Sequence, residues 1–65
     1  NSEDASYKDK YKAALPYLEE LTSSKDKDNK LNAYELLIQV YANLGENDKA
    51  QDAIKMRDQL KNENK

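Results

Sequence analysis

The chain has 65 residues, with 11 Lys plus Arg against 13 Asp plus Glu for a formal charge of −2; it holds no His, Cys, Trp or Phe, and one Gly and one Pro. Without His or Cys there is no ordinary zinc site, no Cys-His or Ser-His-Asp machinery and no disulfide, and a lone Gly excludes the Gly-rich phosphate loops. The slightly acidic balance argues against nucleic acid, whose binding needs concentrated Lys and Arg.

This length allows one domain at most. A chain so short buries roughly 60% of the surface it exposes when unfolded. No run approaches the ~20 apolar residues of a membrane span, and no signal-peptide pattern is visible. The chain starts at Asn1 rather than Met, so a piece of a longer protein is expected. A protein without Cys fits cytoplasm or periplasm alike, and the compartment stays open.

Loop composition over residues 1–5, 22–29, 45–47 and 62–65 leaves three segments of helical length. Residues 1–5 read as a disordered lead and 62–65 as a frayed tail. Strand alternation is absent, so the expected class is all-α, with three antiparallel helices.

The first helix is expected over 6–21. Tyr7, Tyr11, Ala14, Leu15, Leu18 and Leu21 share one apolar stripe. Pro16 removes the bond to the Lys12 carbonyl, yet the stripe crosses it without a change of phase, so a kinked but continuous helix is expected. A polar linker, Thr22 to Asn29, follows.

The second helix is expected over 30–44, with Asn29 as N-cap, or Asn32 with Glu35 one turn later, and Gly45 as the left-handed residue after its last turn. Tyr34, Leu37, Ile38, Tyr41 and Leu44 form one apolar stripe, and Ala33, Leu36 and Val40 a second. A helix with only one narrow polar stripe, Asn32, Glu35, Gln39 and Asn43, should be central. The third helix is expected over 48–61, with Asn47 as N-cap. Its stripe of Ala50, Ala53, Ile54 and Leu60 is thin, and the two alanines permit close approach to the second helix. The short gap between helices two and three makes them an antiparallel hairpin.

The stretch from Asn32 to Leu60, NAYELLIQVYANLGENDKAQDAIKMRDQL, resembles a tetratricopeptide repeat, a helix–turn–helix unit of about 34 residues. Tyr34 takes the opening aromatic position, Leu37 the Leu, Tyr41 the Tyr, Gly45 the turn, Ala50 the small residue of the second helix and Ile54 the large apolar one after it. Ile38 and Arg57 depart from the pattern, standing where small residues are usual. The string YKAALPYLEEL looks like the second helix of a preceding repeat, with Ala14 and Leu18 in the places of Ala50 and Ile54. The resemblance implies the end of a solenoid, residues 30–61 being the hairpin and 6–21 the helix before it. The charged outer side of the third helix suits a terminal, capping element.

In that family the first helices line a concave groove. The resemblance therefore implies a partner-binding role for Asn32, Glu35, Gln39 and Asn43; the plain alternative is a solvated helix face. The family's Lys/Asn carboxylate clamp is not matched, since Glu35 and Gln39 stand in its place. Tyr7, Tyr11 and Leu15 would form an exposed packing patch left by a missing helix, which a second copy or the rest of the solenoid could cover.

Other constellations carry no chemistry. Asp26 and Asp28 begin like an EF-hand loop, but Lys30, Leu31 and Leu37 take positions that need a ligand, Gly and Glu. Glu19 and Glu20 diverge by about 100° on a helix and cannot share a substrate bond. No nucleophile–base set, cofactor motif or metal-ligand spacing is present, so no enzyme is expected. The expected function is a non-catalytic module that binds a protein or peptide. The alternatives are a purely structural capping segment of a larger protein and a free-standing three-helix bundle.

Overall fold

The computed structural model describes the backbone of residues 2–63 and the side chains of residues 7–63. It has three helices: α1 (Ser2–Leu21), α2 (Lys27–Asn43) and α3 (Asn47–Asn62). Among the described residues there is no strand.

α1 begins four residues before its expected start, so residues 2–5 continue the helix instead of forming a separate lead. It runs through Pro16. Pro16 and Lys12 both lie on the exposed side, where water can take up the Lys12 carbonyl that lost its partner. The helix closes on its own carbonyls: the Thr22 Oγ1 donates to Glu19 O at 2.6 Å, and the Ser23 and Ser24 amides donate one turn back.

α2 begins three residues earlier than expected because Asp26, not Asn29, is its cap. The Asp26 Oδ1 accepts from the amides of Asp28 (2.9 Å) and Asn29 (3.4 Å). A carboxylate satisfies two orphan donors and also complements the positive end of the helix dipole, which an amide cannot do. The Asp26 amide is itself held by Ser24 Oγ at 3.1 Å. Asp26 and Asp28 thus serve the start of a helix.

The α2–α3 turn is a Schellman closure. Gly45 takes φ +79, its amide donates to Ala42 O (3.1 Å), and the Glu46 amide donates to Tyr41 O (2.9 Å). α3 then starts at Asn47, with Glu46 rather than Asn47 in the capping position. The Glu46 side chain caps nothing; its carboxylate lies 3.3 Å from Lys49 Nζ.

α2 is the central helix. It packs against α1 and α3, which have no Cα pair within 8 Å of each other among the described residues. The result is elongated, 46 Å long and 20 by 12 Å across. Its core joins Leu18 of α1, Leu37, Val40 and Tyr41 of α2, and Ala50 and Ala53 of α3. Tyr11, Ala14, Leu15, Leu21, Tyr34, Ile38 and Leu44 pack around it. The small Ala50 and Ala53 let α3 lie close on α2, while Ala33 and Leu60 are also buried. An ion pair, Lys27 Nζ to Glu63 Oε1 at 3.8 Å, brings the start of α2 to the end of α3, as an antiparallel hairpin requires.

Leu36 corrects the expectation for α2. Its spacing puts it in the second apolar stripe with Ala33 and Val40, but 47% of it is exposed. The packed side of α2 runs through Ala33, Leu37, Val40 and Tyr41, and neither neighbour reaches round to cover Leu36.

Candidate functional site

The residues expected to line a groove share one face. Asn32, Glu35, Gln39 and Asn43 follow helical spacing along α2 and are all exposed. Leu36 lies at the edge of this face, one turn from Asn32 and Gln39, and is 47% exposed. The Asn43 amide folds back, its Nδ2 donating to Gln39 O at 2.8 Å. Asn32, Glu35 and Gln39 make no side-chain hydrogen bond or ion pair among the described residues.

Tyr7, Tyr11 and Leu15 do not form one exposed patch. Tyr7 is 39% exposed, whereas Tyr11 and Leu15 are half-buried against the core. The Tyr7 ring meets Tyr11 edge-on, with centroids 5.5 Å apart and planes at 89°. The broad apolar surface of α2 supplies the cover expected from a missing helix. Tyr17, by contrast, is largely exposed.

A second feature escapes a reading by stripes. Where α1 and α3 diverge over α2, they leave an open cleft of about 350 Å³. Tyr34, Leu37 and Tyr41 of α2 line it, with Ala53 and Met56 of α3. Glu19 and Thr22 contribute from α1, and Lys49 and Asp52 from α3. The Tyr41 hydroxyl donates to Glu19 Oε2 at 3.0 Å, and Lys49 Nζ stands 5.8 Å from the Tyr41 ring centroid. Burial, the hydrogen bond to Glu19 and the negative charges of Glu19 and Glu46 together push the Tyr41 phenol above its ordinary pKa of 10.0. The one legible trace of this cleft is Tyr34, Leu37 and Tyr41 on one helical face.

Among the described residues, no group of three or more His, Cys, Asp or Glu could hold a metal ion. No described helix is long and apolar enough to cross a membrane. No family model, no curated protein and no solved structure matches this chain.

Proposed function

We propose that the chain is a non-catalytic protein-interaction module, the end of a solenoid resembling tetratricopeptide repeats, that docks a protein or peptide on the outer face of α2. The observation that carries this reading is Leu36, nearly half exposed amid Asn32, Glu35, Gln39 and Asn43. An exposed apolar side chain beside the free amides of Asn32 and Gln39, on the helix that carries the Glu35 carboxylate, offers burial and directional hydrogen bonds together. The separation of α1 from α3 also supports an open, stackable arrangement over a closed bundle.

A structural capping role is the second reading. The exposed charged residues of α3 outside the cleft, Lys55 and Asp58, support it.

A displayed peptide library selected on the whole chain tests the first reading. Peptides recovered should lose binding to Leu36→Asp and to Glu35→Lys with Asn43→Ala, while helicity by circular dichroism stays unchanged. Selected peptides indifferent to both variants would leave the capping role.

A further inference from the structure

We propose that the cleft between α1 and α3 is a second binding site, on the side of α2 away from Leu36, and that it takes a lysine side chain of a partner protein. The floor and the rim ask for different things. Leu37, Ala53 and Met56 offer an apolar bed for a methylene stem, with the Tyr34 and Tyr41 rings beside them. Glu19 and Asp52 place a carboxylate on each opposing wall, and neither makes an ion pair among the described residues. Lys49 also lines the cleft, with its ammonium 3.3 Å from Glu46.

Lys49 also shows what the rim accepts. Its Nζ stands over the Tyr41 ring, 5.8 Å from the centroid, so an ammonium of this same chain already sits against the aromatic floor. Burial and the hydrogen bond to Glu19 are the larger causes of the raised Tyr41 pKa, and the negative charges of Glu19 and Glu46 add to them. A slender stem carrying one positive charge satisfies bed and walls together. An anionic group would face two carboxylates, and a neutral one would give neither a counter-charge.

The test is a proton–nitrogen NMR titration of the whole chain with Nα-acetyl-lysine-methylamide, run beside the same compound acetylated at Nε. The first should give saturable shifts at Leu37, Asp52, Ala53 and Met56, at least tenfold tighter than the second. Glu19→Gln and Asp52→Asn should each weaken it severalfold, and Lys49→Gln, which removes a competing ammonium, should tighten it. Both carboxylate sites are exposed, so these variants should fold. Equal shifts from the two compounds, no saturable shift in the cleft, or weakening by Lys49→Gln would each overturn the assignment. Because these residues lie apart from Leu36, failure here leaves the α2 outer face untouched.

Discussion

The Tyr41 hydroxyl donates to Glu19 Oε2 at 3.0 Å across 22 residues of sequence, and it is the one side-chain hydrogen bond joining two helices among the described residues. It pins the last turn of α1 beside the C-terminal half of α2. The consequence is that α1 reaches past the packed region: Tyr11 is its first described residue packed on the core, and Tyr7 stays exposed.

Tyr41→Phe keeps the ring and removes the donor. Glu19 is exposed and can turn to water, so the loss should fall near about 0.5–1 kcal/mol, read from urea unfolding. The phenol pKa is raised in the folded chain, so the folded state holds that proton more tightly than the unfolded one. Its contribution is therefore complete below pH 10.0, the unfolded value, and is lost as pH rises through the folded pKa. Unfolding midpoints above pH 10 should fall more steeply in the parent chain than in Tyr41→Phe. Parallel slopes would show that other groups govern the alkaline limit.

Asp26→Ala should cost about 1 kcal/mol, because two amides at the start of α2 lose their acceptor. Asn29→Ala should stay within about 0.5 kcal/mol, as its side chain makes no bond among the described residues. The reverse order would restore Asn29 as the cap.

Leu36 and Leu37 are neighbours with opposite fates. Leu37 is 3% exposed in the core, and Leu37→Ala should cost about 2–5 kcal/mol. A core of this size rarely supplies more than about 3–5 kcal/mol, so that variant should be largely unfolded by circular dichroism at 25 °C. Leu36→Ala should change stability by less than about 0.5 kcal/mol. Comparable losses would mean that the outer face of α2 is covered in solution.

Gly45→Ala isolates a backbone effect. No atom lies within 4 Å of an added Cβ, so the cost comes from holding φ +79 with a side chain, about 1–2 kcal/mol. An unchanged denaturation midpoint would show that the turn relaxes to another closure.

These contrasts mark how far the residues could be read in advance. The three helices, the central place of α2 and the turn at Gly45 follow from periodicity and one left-handed glycine, which are local signals. The cap at Asp26 was missed because Ser24, Asp26 and Asn29 all suit capping, and the choice depends on where α1 releases the chain. Leu36 was misplaced because a hydrophobic stripe says which residues could be buried, not how many neighbours arrive. Likewise Tyr11 and Leu15 read as exposed only while a missing helix was needed to cover them. The cleft requires three helices at once and hangs on Tyr41 and Glu19, whose pairing no local spacing announces. The stripe of Asn32, Glu35, Gln39 and Asn43 was legible because four positions on one helix share a face whatever packs behind them.

Sedimentation equilibrium over a wide concentration range, with circular dichroism on the same samples, tests the central claim that the chain folds by itself around α2 and leaves one face of that helix free. A 7.5 kDa monomer whose helicity does not change with concentration is the expected result. A dimer, or helicity that rises with concentration, would contradict it, since a second copy would then be completing the fold.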